Sequence, residues 1–202
     1  MGFFSLPPKG VWSTYQKLGD IVDIDVVMWG NAMGDPKNAT CQHGPVECRA
    51  MLVYGCSKYT ADTKTHLSFI ECFDSTLIKT FPKGLPPGTV NVSFADATLK
   101  ACASAQGRDY AKLDTCAKGA EGAGYFAQEK AKTKPHSGVP ALSINDGSVM
   151  YNSQTLDLIA EVCKAYTGGD KPAACSEDVA KRLDLSGVPS EEHTYHAMIS
   201  PA

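Results

Sequence analysis

The chain has 202 residues, of which 43% are hydrophobic and 20% charged, and its formal net charge is −3. That length can bury a sizeable core, and one domain is the expectation. The small negative charge gives no electrostatic case for nucleic acid or an anionic membrane, and no apolar run approaches the roughly 18 residues of a spanning helix.

In chain order, residues 9–19 read as an amphipathic helix, with Val11, Trp12, Tyr15 and Leu18 at helical spacing and Gly19-Asp20 ending it. Ile21 to Trp29 is rich in β-branched residues. Val22, Ile24 and Val26 alternate with Asp23 and Asp25, the pattern of a strand with one wet face. A polar turn region runs from Gly30 to Thr40. Pro45 then opens a helix, where its missing N–H costs nothing, and Cys48, Met51, Leu52, Gly55 and Cys56 fall on one face.

A second helix is expected over 62–74 with Leu67, Ile70 and Phe73 inward, followed by a Pro/Gly-rich loop at 81–93. Short helices are expected at 94–106, 109–118 and 120–131. Val139 to Ile144 reads as a strand, Asn145-Asp-Gly147 as a hairpin turn, and 148–151 as the partner strand. A helix at 153–166 carries Leu156, Ile159, Ala160 and Cys163 on one stripe, and 184–202 reads as a tail. This order predicts an α/β protein: one domain over 1–183, with a helical insertion at 41–131.

The eight cysteines are Cys41, Cys48, Cys56, Cys72, Cys102, Cys116, Cys163 and Cys175, and no two form a Cys-x-x-Cys pair. An even count beside two sequons, at Asn38 and Asn91, points to an oxidised framework, N-glycosylation and a secretory-pathway origin. Cys102 with Cys116, and Cys163 with Cys175, are close enough in sequence for local bridges. Cys41, Cys48, Cys56 and Cys72 can pair in several ways. The opening MGFFSLPPKGVW has no basic stretch, and Pro7-Pro8 interrupts its apolar run, so a start after leader removal is expected.

Zinc is the rival use for Cys41, His43 and Cys48, but zinc ligands come in close pairs that these spacings do not supply. A nucleophilic thiolate at Cys41 or Cys48, near a helix start and His43, competes with the simpler reading that both are oxidised. No G-x-S-x-G elbow is present. Glu191, Glu192, His193 and His196 are better read as a solvated tail than as metal ligands. No metal, cofactor or catalytic residue is therefore expected.

Residues 41–56, CQHGPVECRAMLVYGC, closely resemble the signature of the gamma-interferon-inducible lysosomal thiol reductase family, C-Q-H-G-x-x-E-C-x-x-N-x-x-x-x-C. Cys41, Gln42, His43, Gly44, Glu47, Cys48 and Cys56 match, and Met51 stands where the family has Asn. Segments 18–32, 66–72, 117–126 and 139–147 also resemble family segments, in the manner of an insect-type member. The absence of a Cys-x-x-Cys pair resembles a truncated form found among mosquito salivary members of the family.

The resemblance implies a thioredoxin-like fold with Val139-Pro140 as its cis-proline. It also places the family's redox Cys-x-x-Cys and first strand upstream of the matching segment. The expectation is therefore an incomplete or modified thioredoxin-like fold with an inserted disulfide-bonded helical subdomain. Its expected role is that of a secreted rather than lysosomal protein that binds a protein or a cell or pathogen surface. Loss of a central strand would expose sheet edges through which two copies could pair.

Overall fold

The computed structural model describes residues 4–5, 10–81, 91–151 and 156–177. Among them the chain builds α1 (Val11–Leu18), α2 (Pro45–Lys58), α3 (Thr63–Thr80), α4 (Val92–Ala105), α5 (Tyr110–Lys118), α6 (Ala120–Lys132) and α7 (Leu158–Ala165). The strands are β1 (Ala141–Leu142) and β2 (Met150–Tyr151), and a short 3-10 helix, Ala173–Ser176, follows α7.

The helix starts follow from local chemistry. Asp62, Asn91, Asp109 and Asp157 each precede a helix and accept a hydrogen bond from a first-turn N–H, satisfying a donor the helix cannot. α3 runs beyond residue 74 because its apolar register continues through Leu77. It ends at Phe81, the residue before Pro82, where proline disfavours helical backbone.

α2 is the hub of the molecule, packing against α3, α4, α5 and α6. Its burial is correspondingly wider than the single face read from its cysteines. Ala50, Val53, Tyr54, Cys56 and Ser57 are all buried, as are Glu47 and Arg49. Leu67, Phe69, Ile70 and Phe73 of α3 join Leu99 and Leu113 in the main core around it. A second cluster gathers Trp29, Ala32, Cys41 and Phe126, and a third joins Leu18 to Ile159, Cys163 and Ala174.

The expected α/β thioredoxin-like architecture is not formed by the described residues, which are mostly helical. Their only ladder pairs Ala141 with Tyr151 and Leu142 with Met150. Ile21 to Trp29 is extended and its sides alternate as read: Asp23 and Asp25 are exposed while Val22, Ile24 and Val26 are half-buried. Among the described residues no strand pairs with it. Lys58 Nζ donates to the Val26 carbonyl at 2.9 Å, and the Met28 N–H donates to Glu129 Oε2 at 2.9 Å. Side chains of α2 and α6 thus occupy places a neighbouring strand would have taken.

The hairpin is shorter than expected, although its turn forms as the Asn-Asp-Gly sequence requires. Asn145 and Asp146 have φ of 48° and 58°, and the Gly147 N–H closes on the Ile144 carbonyl at 2.9 Å. No central sheet forms among the described residues. Residues 184–202, with Glu191, Glu192, His193 and His196, lie outside the described residues, as does most of the 81–93 loop.

All eight cysteines are bonded. Cys56–Cys116 ties α2 to α5, Cys72–Cys102 ties α3 to α4, Cys163–Cys175 ties α7 to the 3-10 helix, and Cys41–Cys48 closes the turn before α2. The Cys102–Cys116 bridge expected from sequence proximity is therefore replaced. Both residues lie on buried faces of consecutive helices, but those faces look at different neighbours, α3 and α2. On the chain-entropy account, the Cys56–Cys116 bond, 60 residues apart, contributes about 4 kcal/mol, against about 2.5 kcal/mol for the seven-residue Cys41–Cys48 span.

Candidate functional site

The segment 41–48 turns sharply into α2, and its residue types explain the turn. Gly44 has φ +87°, a backbone region that L side chains rarely adopt, and Pro45 follows at the first helical position. The Gly44 N–H bonds to the Cys41 carbonyl at 3.0 Å. Glu47 reaches back so that one carboxylate oxygen accepts from the His43 N–H at 2.7 Å, while the other lies 3.3 Å from His43 Nδ1. Glu47 thus supplies the acid's half of a capping box, while Gly44 at the N-cap adds no side-chain bond. Burial raises the Glu47 carboxyl, but the hydrogen bonds and charge of His43 outweigh it, leaving its pKa below the ordinary value.

The Cys41–Cys48 disulfide sits inside this turn. Cys41 is 5% exposed and Cys48 half-buried. Met51 Sδ, where the resembled signature has Asn, lies 4.0 Å from Cys41 Sγ, and the Ala39 carbonyl oxygen lies 3.4 Å from Cys48 Sγ. The preceding residue, Thr40, is held by a two-way backbone bridge to Met33, at 2.9 and 3.0 Å.

Other segments converge on the turn. Asn31 Nδ2 donates to Gln42 Oε1 at 2.7 Å, and His136 Nε2 lies 2.9 Å from Asn31 Oδ1. His136 Nδ1 faces the Lys134 carbonyl at 2.7 Å, completing a polar chain from the α6 exit to the signature. The Val139–Pro140 bond is cis, and Val139 lies across Gly30 from Met51: a Cβ on Gly30 would meet Met51 Cε at 3.5 Å and Val139 Cγ1 at 3.6 Å. Beneath, Trp29 and Phe126 pack with ring centroids 4.8 Å apart, and Lys130 Nζ stands 4.9 Å over the Trp29 ring.

Cys41, Gln42, His43, Gly44, Glu47 and Cys48 are thus brought together with the Val139-Pro140 segment. Cys56 is separate, fully buried in the main core and bonded to Cys116. Of the sequon residues, Asn38 and Thr40 are exposed beside the turn. Asn91 is exposed at the start of α4, its Oδ1 accepting from the Phe94 N–H. Asn31 and His136 escaped the sequence reading. A Gly-Asn-Ala exit was visible at 30–32, but nothing in a lone His136, 105 positions away, signals a partner.

A model of the gamma interferon inducible lysosomal thiol reductase (GILT) family matches residues 8–83, which take in α1, the signature turn, α2 and α3. The chain is also similar to a gamma-interferon-inducible lysosomal thiol reductase of Carassius auratus. It is 31% identical over 85% of this chain and 66% of the relative.

The chain belongs to this family.

A gamma-interferon-responsive lysosomal thiol protein of Arabidopsis thaliana is 30% identical over 79% of this chain, and the Mus musculus reductase is 24% identical over 83%. The chain spans 64–66% of the length of these GILT relatives. No helix among the described residues is long and apolar enough to cross a membrane.

Proposed function

We propose that this GILT-family chain acts by binding rather than by reducing disulfides. In this reading it is a secreted glycoprotein, modified at Asn38 and Asn91, that binds a protein or a cell or pathogen surface. The observation that carries this reading is the state of the cysteines. All eight are spent in four disulfides, and none belongs to a Cys-x-x-Cys pair. Dithiol reduction starts from a thiolate, which no cysteine of this set supplies.

A second reading has its own support. The relatives carry the name thiol reductase, and the chain spans only 64–66% of their length. These 202 residues are then part of a reductase whose redox pair lies outside them.

Insulin reduction by the natural full-length product separates the two. The binding reading expects no turnover above buffer, together with saturable binding of the labelled protein to target cells. Robust turnover that disappears when a Cys-x-x-Cys pair is mutated would sink it.

A further inference from the structure

The four disulfides differ in what their opening does to the fold. Cys56 is fully buried and Cys116 is 8% exposed, so the bond between α2 and α5 is not reached while the core is closed, whereas in Cys72–Cys102 Cys102 is 1% exposed and Cys72 half-buried. Cys163–Cys175 pins the 3-10 helix to α7, and its partner Ala174 is part of the small third core.

Cys41–Cys48 spans only seven residues, and the loop it closes is held by hydrogen bonds of its own. The Gly44 N–H bonds to the Cys41 carbonyl, the Cys48 N–H to the Gly44 carbonyl at 3.3 Å, and the His43 N–H to Glu47. The Met33–Thr40 bridge anchors the entry. None of these hydrogen bonds uses a disulfide sulfur.

Its two sulfurs are also unequal. Cys41 is 5% exposed against the Trp29–Phe126 cluster, while Cys48 is half-buried. Exchange follows the reachable sulfur, and the other sulfur leaves. Two exposed apolar side chains belong to the same neighbourhood: Met33, 64% exposed and bridged to the residue before Cys41, and Val139, 37% exposed and across Gly30 from Met51.

From this geometry we propose that Cys41–Cys48 is an exchangeable disulfide that captures a thiol at Cys48. A thiol RSH loses its proton to solvent, and its thiolate attacks Cys48 Sγ. The R–S–Cys48 bond forms, the Cys41–Cys48 bond breaks, and its electron pair remains on Cys41 Sγ, which takes a proton. A second thiolate attacking R–S–Cys48 at the R sulfur releases RSSR. Two RSH are then oxidised and Cys41 and Cys48 are both reduced. The partner chemistry is a reactive thiol, carried either by a small molecule or by a polypeptide.

The test reads the disulfide itself and does not depend on the binding reading or on insulin turnover. The folded chain is incubated with reduced glutathione, or separately with reduced thioredoxin, then quenched in acid, alkylated and mapped by peptide mass spectrometry. The expected result is glutathione on Cys48 with Cys41 alkylated, at least tenfold ahead of any change at Cys72, Cys102, Cys163 or Cys175, and with unchanged circular dichroism. Reaction in the glutathione arm alone assigns a small-molecule thiol, and reaction in the thioredoxin arm alone a polypeptide thiol.

Opening of Cys72–Cys102 or Cys163–Cys175 first, an adduct on Cys41 instead of Cys48, or no exchange in either arm overturns the proposal. The Cys41→Ser variant gives a second reading. It should fold with Cys48 as the one alkylatable thiol and form a stable mixed disulfide with oxidised glutathione. A folded variant that fails to form that adduct also overturns the proposal.

Discussion

Lys58 Nζ lies 2.9 Å from both carboxylate oxygens of Glu129, and the Glu129 side chain is wholly buried. The pair joins α2 to α6 and at the same time closes the backbone of the extended segment 26–28. Lys58 takes the Val26 carbonyl and Glu129 takes the Met28 N–H, while the Tyr59 hydroxyl donates to Glu129 at 2.8 Å. Removing Glu129 orphans the buried Met28 N–H and leaves Lys58 with Asp25 as its remaining carboxylate. Glu129→Ala is expected to cost about 3–5 kcal/mol, measured by denaturant unfolding with the disulfides intact. A cost below ~1 kcal/mol would falsify this account of the segment.

The aromatic pair under the signature turn is the second test. Phe126 is 2% exposed and fills the space between α6 and Trp29. Phe126→Ala is expected to destabilise the protein by about 3–5 kcal/mol and to shift Trp29 fluorescence to the red as water reaches the ring. Equilibrium unfolding followed by Trp emission measures both. An unshifted spectrum would mean that Trp29 is held without Phe126.

The disulfides should rank by span. Replacing both Cys56 and Cys116 by Ser is expected to cost about 4 kcal/mol on the chain-entropy account. The same change at Cys163 and Cys175, 12 residues apart, should cost about 3 kcal/mol. Paired melts under non-reducing conditions check the order, and the reverse order would contradict it.

Two buried titratable groups pull stability in opposite directions with pH. Burial pushes the Asp74 carboxyl up to about 7, its Tyr54 hydrogen bond only partly opposing this. The folded state therefore holds the Asp74 proton more tightly than the unfolded chain. That contribution is fully present below 3.8 and is lost as pH rises through about 7. Burial, with the charges of Lys58 and Arg108, lowers His66 to about 3, so its contribution is present above 6.5 and lost as pH falls toward 3. Acidification from pH 7 to 4 should thus raise the Tm of wild type relative to Asp74→Asn, and lower it relative to His66→Phe. Melts across that range, with both variants in parallel, decide each sign separately.

Much of the local structure was legible. The side-chain caps at Asp62, Asn91, Asp109 and Asp157 and the Pro45 start are properties of a few adjacent residues, so the helices fall close to where periodicity places them. The turn at Asn145-Asp-Gly147 is equally local. The alternation at 22–26 was also real, since the aspartates face water and the aliphatic side chains face inward. What alternation cannot say is which group completes the backbone. Here the partners are Lys58 and Glu129, 32 and 101 positions from the residues they serve.

By itself the sequence determined the family signature, most helix starts and the sidedness of residues 22–26, because each depends on neighbours a few residues apart. Only the tertiary structure decided that the segment is no strand, that Cys102 meets Cys72 rather than Cys116, and that His136 joins Asn31 and Gln42. Those outcomes depend on which helix faces meet when α2 is buried on nearly every side, a property of the packed whole that no single stretch of chain encodes.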